Sequence, residues 1–484
     1  MALADSPTDI RSRNPWATLT VLALAQFMVV LDVTIVNVAL PSLQASLHFS
    51  ADDLQWVISA YTLAFGGFLL LGGRLSDLLG RRRIFSAGLG LFTVASLAGG
   101  LASSQGVLIG VRAVQGFGGA LMSAAALSIL TVTFANGRQR NVALGIWGGL
   151  AGLGGTLGVV AGGILVDALG WEWVFFVNVP IGLLLLALTP VYVPASRALR
   201  TGPRTFDVAG SVLGTTGVLA VIFGVIRAEP LGWASAEVVS ALAAGAALLA
   251  GFVAVESRSA DPLVPLRLFR SPGLSKATGA LALNGASFLA MFFLTAIYLQ
   301  QVRGLSALET GLEFLPMGFA AIAGALVTSQ LIARVGTRPV HAASAVLSVV
   351  GLLLLSRAGA SGSYVTELLP GLVLFGAGIT GIGVPAQVVA VAEVSHEDAG
   401  AVSGVVNTGY QVGGALGLAV ISTLSTSLVT DLLATGSSQV EALTAGFQRG
   451  LMIAAILAAA NAGLALWSRS LVPDADQLAE LAVA

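Results

Sequence analysis

Two residues of opposite charge lie inside long apolar stretches of the sequence. Asp32 falls within the run 16–40, and Arg112 falls within the run 107–134. At 1.5 Å per residue, Asp32 lies about 13 Å and Arg112 about 8 Å from the same side of the apolar layer. An ionised side chain at such depth costs about 2.5–3.5 kcal/mol to insert into a membrane. Each of the two residues therefore needs a function or a partner.

Asp32 and Arg112 together suggest proton chemistry. Arginine keeps its charge throughout the physiological pH range, whereas the pKa of a carboxylate inside a membrane is set by neighbouring charges and by bound substrate. Asp32 is therefore the candidate proton carrier, and Arg112 is its candidate partner. The alternative is a permanent ion pair that only orients two helices, and the residues leave both interpretations open.

Polar side chains recur at helical spacing in several other apolar stretches. Such stripes can line a wet cavity for an amphiphilic substrate, or they can form hydrogen bonds between helices. The candidate residues of a substrate cavity are Asn37, Gln115, Asn284, Met291, Tyr298, Glu313, Asn407 and Gln411. For Glu313, a carboxylate at the membrane interface is the simpler interpretation.

The composition indicates that a membrane positions these residues. Of the 484 residues, 56% are hydrophobic and 10% are charged, whereas a soluble domain carries about a quarter charged residues. A bilayer core takes about 20 apolar residues per helix. The sequence therefore predicts an all-α integral membrane protein with fourteen transmembrane helices, at about 16–40, 54–73, 84–103, 107–134, 141–166, 172–193, 206–226, 237–255, 275–299, 311–333, 340–356, 366–392, 400–430 and 447–468.

The basic residues predict the orientation of these spans. An even number of spans puts both termini on one side, and cytoplasmic loops attract Lys and Arg. With the termini inside, Arg112 lies within a span, and the basic residues on the outer side are Arg227, Arg303, Arg357 and Arg449. We therefore expect both termini to lie in the cytoplasm of a protein that spans the cell membrane many times.

Two short basic turns indicate an internal repeat. The turn GRLSDLLGRRR at 73–83 aligns with SQLIARVGTRP at 329–339, and corresponding turns in two halves are typical of a duplicated helical bundle. We predict an N-terminal cytoplasmic tail, an N-terminal six-helix bundle, an inserted helix pair, a cytoplasmic connector, a C-terminal six-helix bundle and a C-terminal tail, at 1–15, 16–194, 206–256, 257–274, 275–470 and 471–484. The inserted pair could be a spacer between bundles, an oligomer contact or a lipid-facing wedge.

The first basic turn has the residues of a conformational latch. Its glycines allow a tight connection, and its aspartate can face an arginine or a helix N-terminus until the bundles move apart. The candidate residues of this cytoplasmic gate are Gly73, Asp77, Gly80, Arg81 and Arg82. A second glycine series, in the fifth span, allows close packing and bending. It consists of Gly145, Gly154, Gly158, Gly162 and Gly163.

No pattern of an enzyme, a metal site or a nucleic-acid site accompanies these spans. The three His residues are far apart, Cys is absent and no Gly-rich loop for nucleotide phosphates occurs. We therefore expect no catalytic residues, no metal and no cofactor, with a proton gradient as the energy source. The expected partners are a small amphiphilic substrate, protons and the lipid bilayer, and the oligomeric state is not predicted.

Five motifs together resemble one family. They are LDVTIVNVALP at 31–41, GRLSDLLGRRR at 73–83, RAVQG at 112–116, the glycines of the fifth span and WEWVFFVNVP at 171–180. The sequence resembles the fourteen-helix drug:proton antiporter family of the major facilitator superfamily over nearly its whole length. The resemblance implies two six-helix bundles plus an inserted pair, alternating access and multidrug efflux of the quaternary-ammonium resistance type. It also links Arg112 to proton transfer.

Three positions depart from the pattern of that family. Val159 stands where the antiporter motif has Pro, and Glu172 and Tyr410 stand where relatives often have Arg. We expect Glu172 and Tyr410 to make the external vestibule more acidic and to favour cationic drugs or dyes. Export of one endogenous lipid or secondary metabolite is the alternative function. A membrane enzyme and a non-transporting receptor have no motif in their favour.

Overall fold

The computed structural model describes residues 14–49, 51–134, 137–195, 207–259, 262, 264–270, 272–392 and 399–467, and every regular element in them is helical. The α-helices are α1 (Pro15–Leu47), α2 (Ala51–Leu79), α3 (Arg81–Gly100), α4 (Gln105–Thr133), α5 (Gly137–Leu169), α6 (Trp173–Phe176), α7 (Asn178–Tyr192), α8 (Val208–Leu231), α9 (Ala236–Glu256), α10 (Pro272–Ile297), α11 (Ala307–Val335), α12 (Thr337–Leu355), α13 (Leu369–Ala392), α14 (Ala399–Ala434) and α15 (Gln439–Trp467). A 3₁₀ turn at Leu266–Arg270 precedes α10. Two π-helical turns, Tyr298–Val302 and Tyr364–Leu368, extend α10 and lead into α13.

The described helices confirm the predicted all-helical membrane architecture. Thirteen segments are long and apolar enough to cross a membrane, and each coincides with a predicted span. Helices α6 and α7 together form one of them, Trp173–Tyr192. The predicted fifth span is α5, whose described apolar stretch is Leu157–Leu169. The exact count of fourteen and the orientation of the termini stay predictions.

Local sequence signals explain where several helices begin. Before α1, the side chain of Asn14 accepts hydrogen bonds from the backbone N–H groups of Trp16 and Ala17, at 3.1 and 3.2 Å. Asn at the cap position and Pro at the first turn are the residues that helix N-termini prefer. Before α11, Ser306 and Glu309 form a capping box. These caps satisfy backbone donors that a helix leaves free.

Buried apolar side chains form separate cores in the two halves of the chain. One core joins α1–α5 and α7, with Phe85 and Phe92 fully buried in it. Another joins α10–α15 around Phe314 and Phe375. We call α1–α7 the N-bundle and α10–α15 the C-bundle. These cores hold each bundle together independently of the contact between the two.

Helix α8 packs between the two bundles. Its Leu219 and Ile222 contact the backbone of α2 at Gly66 and Gly67, where the absence of side chains makes room for them. At the far end of α8, the indole Nε1 of Trp233 donates to the hydroxyl of Thr423 on α14 at 3.0 Å. The inserted pair α8–α9 therefore contacts both bundles through α8.

The two aligned basic turns have the same backbone feature. Gly80 lies between α2 and α3 with φ of 100°, and Gly336 lies between α11 and α12 with φ of 84°. A residue with a side chain is strained in this region of φ, whereas glycine is not. The aligned glycines therefore form equivalent tight turns in the two halves of the chain, as a duplicated bundle requires.

Candidate functional site

Asp32 is the centre of a buried polar network inside the N-bundle. Its Oδ2 accepts a hydrogen bond from Arg112 Nη1 at 2.6 Å. Its Oδ1 accepts from Gln115 Nε2 at 2.7 Å and from Asn178 Nδ2 at 2.8 Å. The side chain of Asp32 is 0% exposed and that of Arg112 is 1% exposed. Two helices, α4 and α7, thus contribute donors to one carboxylate on α1.

The guanidinium of Arg112 is held on several sides at once. Its Nε donates to the carbonyl oxygen of Val57 at 2.9 Å, and its Nη1 also donates to Gln115 Oε1 at 2.7 Å. Its Cζ lies 4.3 Å from the ring centroid of Tyr61, which is the geometry of a cation–π contact. Arg112 is therefore fixed by α2 and by its own helix as well as by Asp32.

Glycines on α4 allow the polar face of that helix to approach its neighbours. A side chain at Gly116 would collide with the carbonyl oxygen of Tyr61 on α2. A side chain at Gly118 would lie 2.9 Å from the carbonyl oxygen of Gly88 on α3. Close helix approach through small residues is common in membrane proteins. It brings Gln115 within 2.9 Å of Ser96 Oγ on α3.

This arrangement keeps a carboxylate away from both water and lipid. Three donors surround the ionised form of Asp32, and one of them is charged, which gives short and strong hydrogen bonds. Removing one partner of such a pair leaves a buried charge uncompensated, at a cost of about 3–5 kcal/mol. A proton on Asp32 removes the same attraction reversibly. The site can therefore convert protonation into a change in the forces between α1 and α4.

Asn178 belongs to this network, although the sequence analysis did not assign it a role. It is the first residue of α7 and is fully buried. The motif WEWVFFVNVP contains it, and a polar residue among apolar neighbours was the only available signal. Which face of α7 points toward α1 depends on the packing of the bundle.

The predicted cavity residues fall into separate places. Gln115 lies in the Asp32 network, and Asn37 is exposed on α1. In the C-bundle, Met291 is fully buried. Asn284 Nδ2 donates a hydrogen bond to the carbonyl oxygen of Ile379 at 3.2 Å. The hydroxyl of Tyr298 donates to the carbonyl oxygen of Gly359 at 2.6 Å. Glu313, Asn407 and Gln411 are half-buried. Asn284, Met291 and Tyr298 therefore face the interior of the C-bundle.

Glu313 immediately precedes Phe314, which belongs to a series of stacked aromatic rings in the C-bundle. Its Oε2 is buried without a hydrogen-bond partner among the described residues. The adjacent Phe314 stacks on Phe292 at 4.6 Å between ring centroids, and Phe292 stacks on Phe288 at 6.1 Å. Phe292 also approaches Gly155 of α5 in the N-bundle. The stacked rings thus lie close to the contact between bundles.

Asp77 of the predicted gate connects the two bundles. Its Oδ1 lies 3.3 Å from Arg81 Nη2, and its Oδ2 accepts from the backbone N–H of Ala401 on α14 at 3.2 Å. Arg82 donates to the carbonyl oxygen of Val193 at 3.2 Å. Gly73 accepts from the Ser76 hydroxyl at 2.7 Å. The aspartate thus bonds the first turn of a C-bundle helix, where the helix dipole favours negative charge.

The glycines of α5 face helices of both bundles. Gly154, Gly158 and Gly162 pack against α1, and Gly163 packs against α11. A side chain at Gly155 would lie 3.9 Å from both Thr34 of α1 and Phe292 of α10. Val159, which replaces the motif proline, packs against Gly311 of α11. Gly145 lies within α5, and its packing is outside the described residues. Helix α5 is therefore in close contact with both bundles.

The expected acidity of an external vestibule from Glu172 and Tyr410 stays a prediction. Tyr410 packs beside Gly285 in the middle of α10 and extends a cluster that contains Leu274 and Ala277 nearer the start of that helix. Glu172 is half-buried just before α6. In the predicted orientation, the start of α10 lies on the cytoplasmic side and Glu172 lies on the outer side.

No group of three or more His, Cys, Asp or Glu side chains in the described residues could hold a metal ion. The polar network around Asp32 instead consists of one carboxylate, one guanidinium and neutral amides. A carboxylate can bind a proton and the other groups can stabilise its charge, and together they differ from the ligand set of a metal centre.

Comparison with known proteins identifies relatives of this chain. Its sequence is 39% identical over 453 residues to the puromycin resistance protein pur8 of Streptomyces alboniger, covering 91% of this chain and 87% of that protein. It is 40% identical to the cephamycin export protein CmcT of Amycolatopsis lactamdurans, and the match covers 87% of this chain and 88% of that protein. It is 36% identical to the multidrug resistance protein Stp of Mycobacterium tuberculosis, and the match covers 85% of this chain and 76% of that protein.

Solved structures and a family profile agree with these relatives. The human organic anion transporter MFSD10 superposes with a TM-score of 0.67 at 17% identity, covering 95% of this chain and 100% of that one. The proton:xylose symporter XylE superposes with a TM-score of 0.65 at 15% identity, covering 94% of this chain and 95% of that one. The profile described as Major Facilitator Superfamily matches residues 22–418. The chain is thus a multi-pass transporter of the cell membrane that belongs to the major facilitator superfamily, and its relatives are drug-resistance and drug-export proteins.

Proposed function

We propose that this transporter is a proton-coupled antiporter that exports amphiphilic, cationic drugs or dyes by alternating access. The observation that carries the proposal is the Asp32–Arg112 pair, fully buried at 2.6 Å inside the N-bundle. The carboxylate accepts two more hydrogen bonds from neutral amides, which satisfy its remaining lone pairs while it is ionised. Such a carboxylate is stabilised when ionised and loses its attraction to arginine when protonated.

In the proposed cycle, a proton from outside reaches Asp32 and weakens its contact with Arg112. The N-bundle then changes its packing, and the substrate leaves outward. The Asp77–Ala401 hydrogen bond is the proposed cytoplasmic gate, because it joins the bundles on the predicted inner side. The return step opens that gate and releases the proton to the cytoplasm.

The proposed cation preference rests on two carboxylates away from the Asp32 network. Glu313 has a buried oxygen without a hydrogen-bond partner among the described residues, and the next residue along α11, Phe314, belongs to the stacked phenyl rings. Aromatic faces and carboxylates both attract cations. Glu172 adds negative charge at the predicted outer end, and Glu172→Arg is expected to weaken selectivity for cations. Unchanged selectivity in this variant would contradict the contribution of Glu172.

A second candidate function is export of one endogenous secondary metabolite. The relatives support it, since one is named a cephamycin export protein and another, 38% identical over 431 residues, a tetracenomycin C resistance and export protein. On this alternative, one compound is transported and unrelated cations are not. The buried proton site would have the same role in both functions.

The test uses purified protein in liposomes that contain a pH dye and an acidic lumen. Ethidium, puromycin, lincomycin and tetracenomycin C are added outside, one at a time. We expect ethidium to cause alkalinisation of the lumen with wild-type protein, and Asp32→Asn to abolish it while the protein stays folded. A response to a single antibiotic and none to ethidium would favour the second function.

The matched control is an exposed carboxylate that also pairs with an arginine. Glu237 accepts from Arg227 at 2.8 Å on the inserted pair, and both side chains are accessible. Exposed pairs contribute about 0–1 kcal/mol, so Glu237→Gln is expected to transport normally. Proton movement at the wild-type rate in Asp32→Asn would overturn the proposed role of Asp32.

A further inference from the structure

The two amides that bond Asp32 Oδ1 differ in how firmly they are held. Gln115 is fixed at both ends, since its Oε1 accepts from Arg112 at 2.7 Å and its Nε2 also donates to Ser96 at 2.9 Å. Asn178 donates to Asp32 through Nδ2 at 2.8 Å, but its Oδ1 is buried with no hydrogen-bond partner among the described residues. A buried polar atom without a partner is rare and requires an explanation.

Protonation of Asp32 provides that explanation. Oδ2 faces the guanidinium of Arg112, so a new proton is better placed on Oδ1, which faces neutral amides. The resulting O–H group needs an acceptor, yet both amides present N–H groups to it. Turning the Gln115 amide would break its bonds to Arg112 and Ser96. Turning the Asn178 amide breaks no other bond of its side chain, because its Oδ1 has none.

We propose that Asn178 is a positioning residue that follows the protonation state of Asp32. When Asp32 is ionised, Asn178 Nδ2 donates to Oδ1. When Asp32 is protonated, the amide turns by half a rotation and Asn178 Oδ1 accepts from the new O–H. The proton comes from water on one side, resides on Asp32 Oδ1 and returns to water on the other side, and no other covalent bond changes. This inference rests on the proposed proton-coupled function.

The surroundings of Asp32 leave Asn178 as the group that can respond. Arg112 on α4 and Tyr61 on α2 are the ionisable groups that interact with Asp32 in the described structure. The other polar groups of the network, Gln115 on α4, Ser96 on α3 and Asn178 on α7, are neutral. Arginine does not lose its proton in proteins. The network therefore adapts to a protonated Asp32 by reorienting a neutral group.

The test reads Asp32 directly, by infrared difference spectroscopy of the purified full chain as a function of pH. The C=O band of protonated Asp32 is identified by its loss in Asp32→Asn. Asn178→Leu has a similar size but neither donates nor accepts. We expect it to move the band to higher frequency, because the O–H has lost its acceptor. We also expect it to displace the titration midpoint by about one pH unit, a tenfold change in proton affinity.

Asn178→Asp is a second variant that preserves the shape of the side chain. Two carboxyl groups in contact share a proton and titrate in two coupled steps, so the Asp32 band should change in two steps instead of one. An unchanged band and midpoint in Asn178→Leu, or a single unchanged step in Asn178→Asp, would overturn the proposal. A displaced midpoint with an unchanged band frequency would also overturn it, since Asn178 would then be a fixed donor.

A failure of the proposed function is distinguishable from a failure of this inference. In the liposome assay, a wild-type protein that moves ethidium without moving protons would refute antiport. The infrared titration of Asp32 needs neither substrate nor transport, and it would still report on the contact with Asn178. If antiport holds and the inference is correct, Asn178→Leu should also displace the pH dependence of ethidium transport by about one unit.

Discussion

At the scale of single residues, the environment of a charge decides its role. Two of the arginine–carboxylate pairs in the described residues have similar separations, Arg112–Asp32 at 2.6 Å and Arg227–Glu237 at 2.8 Å. The second is exposed, and solvent screening leaves it with little energetic effect. The first is buried, where each charge depends on the other and on surrounding donors. Of these two pairs, only the buried one can couple protonation to helix packing.

A prediction at this scale concerns the shape of the cation. Arg112→Lys keeps the positive charge but cannot donate to Val57, Asp32 and Gln115 at the same time, because an ammonium lacks the planar fork of a guanidinium. We expect proton-coupled transport to fall at least about tenfold, which corresponds to about 1.4 kcal/mol. We also expect a lower unfolding temperature in detergent, because buried acceptors lose their donors.

The control for this prediction is Arg227→Lys in the exposed pair. Surface substitutions of this kind usually change the free energy of unfolding by less than about 0.5 kcal/mol. Transport and thermal stability should therefore match the wild type. Wild-type transport by Arg112→Lys would show that charge alone is sufficient at position 112.

At the scale of elements, the sizes of the α5 side chains match the space between its neighbouring helices. The Thr34 hydroxyl of α1 occupies the space that a side chain at Gly158 would need, and it donates to the carbonyl oxygen of Leu31 at 3.0 Å. On another face, Val159 fills the space above Gly311 of α11. Small residues on one face and a branched residue on another allow α5 to pack against both bundles.

Gly158→Ala is therefore predicted to separate α5 from α1. The new methyl group overlaps Thr34 Oγ1 and lies 3.0 Å from the carbonyl oxygen of Leu31. We expect overpacking to lower the free energy of unfolding by about 1–3 kcal/mol, measured as a lower unfolding temperature. Thr34→Ala removes the clashing hydroxyl, so the double variant should recover part of the loss.

A helical glycine with free space is the matched control. Gly90 on α3 has no atom within 4 Å of the position of an added side chain. Gly90→Ala should be neutral or stabilising by up to about 1 kcal/mol, because alanine is the better helix former. Equal effects of Gly158→Ala and Gly90→Ala would contradict the close contact between α5 and α1.

The inserted helix pair makes contacts with both bundles. Helix α8 packs into α2 at Gly66 and Gly67, and Trp56 of α2 stacks on Phe223 with ring centroids 6.0 Å apart. Trp233 bonds α14 of the C-bundle. Of the three roles that the sequence allowed, these contacts fit a spacer between bundles.

At the scale of the whole molecule, the two bundles contact each other at both ends of the membrane-spanning region. Near one end, Gly404 of α14 lies against Leu70 of α2, close to the Asp77–Ala401 bond. Near the other end, Gly163 of α5 lies against Leu308 of α11. Alternating access requires that each of these contacts opens in turn.

Disulfide bonds can test this requirement because the chain has no native cysteine. A Cβ at Gly163 would lie 3.4 Å from that of Leu308, and a Cβ at Gly404 would lie 3.2 Å from the Cα of Leu70. The first separation is close to the Cβ–Cβ distance of about 3.5–4.5 Å in a disulfide, and the second shows that α14 and α2 are in direct contact at this position. We expect oxidation of Gly163→Cys with Leu308→Cys, or of Leu70→Cys with Gly404→Cys, to stop transport, and reduction to restore it.

The control is a disulfide inside one bundle. A Cβ at Gly182 of α7 would lie 3.0 Å from that of Thr93 on α3, and both helices belong to the N-bundle. Oxidation of Gly182→Cys with Thr93→Cys should leave transport active if each bundle moves as a unit. Continued transport by either oxidised pair between bundles would rule out opening at that contact.

The amino-acid sequence by itself determined the helices, because hydropathy is a local property and a membrane demands long apolar segments. It also predicted Asp32 and Arg112 as partners, since depth along a helix can be counted from residue numbers. Two opposite charges at similar depth in an apolar layer have few possible partners other than each other. The glycine turns at Gly80 and Gly336 were likewise readable, since only glycine tolerates that backbone conformation readily.

The tertiary structure decided which way each helix faces. A helix that is apolar all round carries little information about its orientation, and these spans are of that kind. Sequence spacing therefore could not show that Gln115 bonds Asp32, that Tyr298 points into the C-bundle or that Tyr410 packs beside Gly285 of α10. Nor could it bring Asn178 to a carboxylate 146 positions away. Those contacts depend on the packing of several helices together, which no single segment encodes.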